Sequence, residues 1–164
     1  MPQKNKIRYL IIHHTATSRD RTMFKALKSS YNWVITADGV LNESRPQSIV
    51  GAHARADGMN YKSLGIALTG NFMREVPTDA QIKTLKGIIG QVREIYNIPL
   101  ENVLGHKEVR GAKTLCPGIN LLPIIKKIRS GEDIEEVSNE LKETKEELKV
   151  ATEKLYKIDQ IIHS

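Results

Sequence analysis

The sequence predicts an α/β body with a central sheet flanked by helices, followed by a separate long C-terminal helix. Two apolar runs, residues 7–12 and 63–70, have the character of buried strands. An amphipathic helix with a complete capping signal begins at Thr78. Beyond Gly131 the composition changes to an acidic heptad pattern. Strands and helices mixed within one segment are typical of an α/β fold.

The first predicted element is a mostly buried central strand, Ile7–Ile12, which ends at His13. Only Arg8 interrupts its apolar run. After this strand, Thr17-Ser18 offers a cap for a short amphipathic helix that contains Met23, Phe24 and Leu27.

The next elements are strands. Trp33–Ile35 is expected to be extended, and the turn at Asp38-Gly39 returns it into Val40-Leu41, because an Asp-Gly pair favours a hairpin. The segment Ser63–Gly70 reads SLGIALTG and predicts another buried strand bounded by glycines.

Helices and a polar loop complete the predicted body. Thr78 and Gln81 form a capping box, in which the threonine oxygen accepts from the Gln81 backbone and the glutamine side chain reaches back. The helix that follows places five side chains on one face: Ile82, Leu85, Ile89, Val92 and Tyr96. A loop follows at Gly105–Gly118, and Leu121–Ile128 predicts a short helix.

The pattern divides the chain into residues 1–130 and a C-terminal helix, 131–164, in which apolar residues recur every seven positions. We expect this helix to form a coiled coil and a homo-oligomer through residues 132–162. In a parallel pair Glu140 would meet Lys145 and Lys154 would meet Asp159, both of opposite sign. The alternatives are a helix folded against its own body and an acidic tail docked on a basic body.

Composition narrows the function. The chain carries a net charge of +6 and the tail −5, so the first 130 residues carry +11 and suit an anionic partner. Seven Tyr or Phe residues offer no stacking platform, and no recognition helix is evident, which argues against nucleic acid. No apolar run is long enough to span a bilayer, and Tyr9–Ile12 is too short for a signal peptide. We therefore expect no membrane insertion and a cytoplasmic start.

Histidines and a lone cysteine are the candidate metal ligands. His13 ends a buried strand, and His106 lies in a glycine-bounded loop ten residues before Cys116, the one cysteine. Two His and one Cys can supply three zinc ligands and leave a fourth position for water, as in catalytic zinc sites. Spacing alone does not establish such a site, because the residues come from distant segments.

Four segments together resemble a known family. They are IIHHTAT (11–17), YNWVITADGVLNESRP (31–46), GAHARADGMNYKSLGIALTGNF (51–72) and GHKEVRGAKTLCPG (105–118). In this order they resemble the family of phage lysozyme-type N-acetylmuramoyl-L-alanine amidases and peptidoglycan recognition proteins, across about residues 6–128. The resemblance implies a mixed central sheet with helices on its faces, and a phage or prophage endolysin as the type of protein.

The resemblance also implies site residues. His13, His106 and Cys116 match the family's zinc ligands, with His13 preferred to His14. Tyr31 matches its catalytic tyrosine. Where some phage members have a lysine two residues before the cysteine, this chain has Thr114 and places Lys113 one residue earlier, so either is a candidate for the second helper. Three positions are expected to bind substrate: His53, Asn60 and Lys113.

The function that the resemblance implies is zinc-dependent hydrolysis of the amide bond between the lactyl group of N-acetylmuramic acid and L-alanine in peptidoglycan. Such an enzyme would leave the cytoplasm of a bacterial host on release and act on the cell wall. The alternative is a protein of the same fold that binds peptidoglycan without cutting it. A further alternative is a regulatory role on a cytoplasmic enzyme.

Overall fold

The computed structural model describes residues 7–17, 30–131 and 146–155. The chain forms two compact units, Met1–Arg129 and Ser130–Ser164. The described part of the first unit contains five strands, which are β1 (Tyr9–His14), β2 (Trp33–Ile35), β3 (Leu41–Glu43), β4 (Ser63–Leu68) and β5 (Val103–Gly105).

The five strands form one mixed sheet, in the order β3-β2-β4-β1-β5. Strand β1 runs parallel to both of its neighbours, β4 and β5, while β2 and β3 form an antiparallel hairpin. Strand β2 pairs in parallel with β4. This arrangement confirms the mixed central sheet.

Several boundaries differ from the expectation, and those of β1 bear on the site. Strand β1 begins at Tyr9 and continues through His14, so both histidines belong to the strand and do not follow it. Strand β5 was not predicted, because three residues at Val103–Gly105 carry too little periodicity to be recognised. The predicted helix with Met23, Phe24 and Leu27 lies outside the described residues.

Within residues 30–131 the helices are α1 (Asp79–Tyr96) and α2 (Leu122–Ser130), with 3₁₀ turns at Ala56–Tyr61, Leu100–Asn102 and His106–Glu108. The capping box of α1 is complete, since Thr78 accepts from the Gln81 backbone and Gln81 accepts from the Thr78 backbone. The α1 helix is capped at its C-terminus by Asn97, whose φ of 54° is left-handed.

Each face of the sheet has its own apolar core. On one face, Leu10 and Ile12 pack with side chains of α1 and α2, among them Leu85, Ile89, Val92, Ile125 and Ile128. On the other face, Ile11 packs with Ala54, Met59 and Val109. Successive side chains of a strand point to opposite faces. The two residues after Ile12 in β1 therefore lie on opposite faces, His13 on that of Ile11 and His14 on that of Ile12.

Within the second unit the structure describes residues 130–131 and 146–155, and the segment 146–155 is helical. Leu148 and Leu155 are exposed on this helix, at 68% and 67%. The remainder of the predicted heptad segment lies outside the described residues. Across 7–17, 30–131 and 146–155, no helix has the length and apolar content needed to cross a membrane.

Candidate metal centre

Strand β1 sends its two histidines to opposite faces of the sheet. His13 shares the face of Ile11 and is 1% exposed. His14 shares the face of Ile12, where its Nδ1 accepts a hydrogen bond of 3.2 Å from the Phe72 backbone N–H. The preferred histidine, His13, is therefore the one directed away from the helices.

Strand β5 brings His106 to the same edge. Ile12 pairs with Gly105, and His106 begins the 3₁₀ turn directly after this pairing. Because β1 and β5 are parallel, their carboxyl ends meet. The ring centroids of His13 and His106 lie 4.6 Å apart.

Backbone hydrogen bonds fix Cys116 beside these rings. Its carbonyl accepts from the Lys107 N–H at 2.7 Å, and its own N–H donates to Thr114 Oγ1 at 3.1 Å. Strand β1 extends two residues beyond its last pairing with β5, and the His14 N–H on that edge donates to the Cys116 sulfur.

The three side chains form a compact donor cluster. One nitrogen from His13, one from His106 and the Cys116 sulfur all lie within 4.8 Å of one another. The sulfur is 3.5 Å from His13 Nδ1. In a tetrahedral zinc site, bonds of about 2.3 Å to sulfur and about 2.0–2.1 Å to nitrogen place these two atoms roughly 3.6 Å apart. The residues present therefore fit a zinc ion.

Burial sets the protonation of the cluster. It lowers the pKa of His13 well below its usual value, with the neighbouring His53, His106 and His14 adding to the effect. Burial also lowers the pKa of His106. Both rings are thus neutral near pH 7 and offer a lone pair. Burial raises the pKa of Cys116 to about 11, although the hydrogen bond from the His14 backbone N–H acts in the opposite direction. A cation among these groups would favour the thiolate that metal binding requires.

Tyr31 lies at the edge of this cluster, with its ring centroid 5.0 Å from that of His13. Its position follows from Asn32, whose backbone N–H donates to the Gly65 carbonyl and whose Oδ1 accepts from the Gly65 N–H, each at 2.9 Å. Burial, and to a lesser degree Cys116, raise the pKa of Tyr31 to about 12. The hydroxyl therefore keeps its proton and can donate.

The remaining predicted site residues separate into two groups. His53 is 7% exposed, and its Nδ1 lies 3.0 Å from His13 Nε2. Asn60 Oδ1 accepts from the backbone N–H groups of His53 and Ala54, at 3.0 and 2.8 Å. Both side chains are thus engaged with the protein, whereas Lys113 is exposed.

Glu108, in the same loop, supports the frame of the site. Its carboxylate accepts from the Gly105 N–H at 2.8 Å and pairs with both terminal nitrogens of Arg129, at 2.8 and 3.1 Å. Burial raises the pKa of Glu108, but the bonds from Arg129 and Gly105 outweigh it and lower the pKa overall. Arg129 lies 21 positions away in the sequence, so the spacing of these two residues does not predict their pairing.

Fold and site together define an α/β protein whose parallel strands gather two histidines and a cysteine at one edge of a mixed sheet. Residues 3–119 match the family model of N-acetylmuramoyl-L-alanine amidase. The chain belongs to this amidase family.

Relatives of two kinds are similar to this chain. Peptidoglycan-recognition protein SC2 of Drosophila simulans is 33% identical over 131 residues, which cover 69% of each chain. The endolysin N-acetylmuramoyl-L-alanine amidase LysCS from Clostridium intestinale superposes with a TM-score of 0.64 at 30% identity, covering 77% of this chain and 86% of that one. Peptidoglycan recognition protein LE, crystallised with tracheal cytotoxin, a monomeric diaminopimelic acid-type peptidoglycan, gives 0.66 at 27%, covering 77% and 83%.

Proposed function

We propose that this chain is a zinc-dependent N-acetylmuramoyl-L-alanine amidase that hydrolyses the bond between the lactyl group of N-acetylmuramic acid and L-alanine in peptidoglycan. The observation that carries the proposal is the donor cluster of His13, His106 and Cys116 within 4.8 Å. Membership of the amidase family and the likeness to endolysin amidases support it.

His13, His106 and Cys116 would hold the zinc ion. Three protein ligands leave one position open, as a catalytic site requires. When bound, zinc lowers the pKa of a coordinated water towards about 7 and polarises the carbonyl that is attacked. The neutral state of His13, which is buried, and of His106, which is half-buried, matches this task, because each must present a lone pair.

Tyr31 and Thr114 are proposed to stabilise the charge that develops on the scissile carbonyl oxygen. The Tyr31 hydroxyl stays protonated beside His13 and can donate. Thr114 Oγ1 accepts from the Cys116 N–H, which leaves its own O–H to donate. Lys113 is exposed on the same loop, so the geometry favours Thr114 as the second helper.

The proposed substrate is the peptidoglycan of a bacterial host, reached after release from the cytoplasm. A charge of +11 on the first 130 residues would attract an anionic wall. The crystal structure of recognition protein LE with a peptidoglycan monomer supports this class of ligand. Substrate contacts by Asn60 and Lys113 stay predictions.

Binding without cleavage is the second candidate, because recognition proteins are among the relatives. The complete donor set, with Tyr31 beside it, favours the enzyme. A protein that only binds peptidoglycan needs neither an open metal position nor a positioned hydroxyl donor.

The test is zinc binding and hydrolysis by the full chain beside its Cys116→Ser and His106→Ala variants. We expect the full chain to bind one zinc ion and to release free amino groups from purified cell wall. Loss of one of three ligands should weaken zinc binding by more than about 100-fold. This exceeds the usual effect of losing a residue that only hydrogen-bonds a ligand. Equal hydrolysis by a zinc-stripped Cys116→Ser protein would exclude the metal mechanism.

We also propose that residues 1–130 are the amidase domain and that 132–162 join chains into an oligomer. Within the described helix 146–155, Leu148, Ala151 and Leu155 follow the heptad spacing and are exposed. Sedimentation should show the full chain as a dimer or larger. Leu148→Lys combined with Leu155→Lys should give monomers, while Val150→Lys, off this face, should not. A monomeric full chain contradicts the proposal.

A further inference from the structure

The His53 ring lies directly behind His13. His53 Nδ1 is 3.0 Å from His13 Nε2, and the second nitrogen of His13, Nδ1, is 3.5 Å from the Cys116 sulfur. The His13 ring thus lies between the Cys116 sulfur on one side and His53 on the other. Both histidines are buried, at 1% and 7% exposure.

This contact gives an N–H at His13 Nε2 an acceptor in His53 Nδ1. A neutral imidazole has one N–H and one lone pair. If His13 Nδ1 presents its lone pair to a metal, its proton lies on Nε2 and is donated to His53 Nδ1. Metal-binding histidines almost always donate their other N–H in this way, which fixes the tautomer and the orientation of the ring.

The two nitrogens of His53 differ in their surroundings, since Nδ1 lies against His13 and Nε2 does not. Among the described residues, His53 Nε2 is the one buried side-chain nitrogen or oxygen without a hydrogen-bond partner. Buried polar atoms are nearly always satisfied, and an exception costs stability. Among the described residues, the short side-chain contact of the His53 ring is therefore the one from Nδ1 to His13.

Two glycines hold the ring in place. A Cβ on Gly65 would lie 2.6–2.8 Å from His53 Cγ, Cδ2 and Nδ1, and a Cβ on Gly51 would lie 2.5 Å from Cδ2. Neither glycine is among those with positive φ, so backbone conformation does not explain them. The His53 ring explains both. Asn60 completes the support through the His53 N–H.

We propose that His53 is a positioning residue for the metal centre, which accepts the Nε2 proton of His13 and so aims His13 Nδ1 at the zinc ion. This inference rests on the proposed zinc function. It differs from the expectation that His53 binds substrate.

The test compares His53→Asn with His53→Leu in the full chain. Asparagine places an oxygen near the position of Nδ1 and can accept, whereas leucine keeps bulk and cannot. Zinc affinity is measured by competition with a chromophoric chelator, and Co²⁺ spectra report the geometry of the ligands. We expect His53→Leu to weaken zinc by about 10–100-fold and to alter the Co²⁺ spectrum, and His53→Asn to stay within about threefold of the parent.

Gly51→Ala is a second variant that reaches the ring from outside the ligand set. It should weaken zinc binding in the parent chain but have no further effect in a His53→Ala background, because the ring that lies 2.5 Å from the added Cβ is then absent. Far-UV circular dichroism checks folding. If His53→Leu does not fold, Gly51→Ala and the His53→Ala cycle decide.

Zinc affinity unchanged in His53→Leu, or no coupling between positions 51 and 53, overturns the proposal. A raised KM for wall fragments with unchanged zinc affinity overturns it too and returns His53 to the substrate groove. Failure of the proposed function is distinct, since the parent would then bind zinc no better than Cys116→Ser.

Discussion

His13 and His14 are neighbours in sequence but serve opposite faces of one sheet. Successive side chains of a strand point to opposite faces, so His13 lies on the face of Ile11 and His14 on the other. This alternation is sufficient to predict that only one of the two histidines faces the donor cluster. The contact between His13 and His53 could not be predicted in this way, because it joins residues 40 positions apart. Gly51 and Gly65 leave room for the His53 ring, but this role becomes evident only once the packing around the ring is known.

Tyr31→Phe tests the proposed hydroxyl donor at the residue scale. Removing one donor to an oxyanion typically lowers kcat by about 10²–10³. We expect a loss of this size with zinc affinity unchanged, because phenylalanine retains the ring that lies beside His13. Steady-state hydrolysis of soluble wall fragments measures it. Hydrolysis equal to that of the parent would remove Tyr31 from the reaction.

At the scale of elements, strand β5 was missed although it carries His106 to the site. Its three residues, Val103–Gly105, are held by pairing with β1 and not by their own propensity. Helix α1 was predicted closely, because the capping box and the apolar face both lie within its own sequence. Local signals thus predict the frame, while long-range pairing determines the site.

Thr78→Ala tests the cap of α1. The Thr78 hydroxyl accepts from the Gln81 N–H at 3.1 Å and donates to the Ala37 carbonyl at 2.7 Å. Its loss should lower the free energy of unfolding by about 1–2 kcal/mol, measured by urea titration. Thr78→Ser, which retains the oxygen, serves as control. Equal stability of the alanine variant would show that the cap contributes nothing.

At the scale of the whole molecule, the buried histidines make stability depend on pH. Burial lowers the pKa of His13, His106 and His53, the last to about 4, from an ordinary value of 6.5. Below about pH 6.5 the unfolded chain therefore binds more protons than the folded chain, and the free energy of unfolding decreases as the pH falls.

We expect the free energy of unfolding of the zinc-free protein to be nearly constant from about pH 7 to 8 and to decrease as pH falls from about 6.5 towards 4. Urea titrations at a series of pH values in a chelating buffer measure it. Stability that stays constant or rises over the acidic range would contradict the burial of neutral histidines.

The family and the α/β body could be predicted from four sequence segments, and the mixed sheet bears out that prediction. The tail could be predicted only as a pattern, because heptad spacing does not state which surface covers Leu148 and Leu155. Its state of association depends on other chains and their concentration.

Mass analysis of digested muropeptides of defined structure shows whether this donor cluster cleaves the lactyl amide of peptidoglycan. With zinc present, we expect a glycan that ends in an intact lactyl group and a peptide with a free L-alanine amine, neither of which forms with Cys116→Ser. Binding of the muropeptides without cleavage, or cleavage at any other bond, would contradict this expectation.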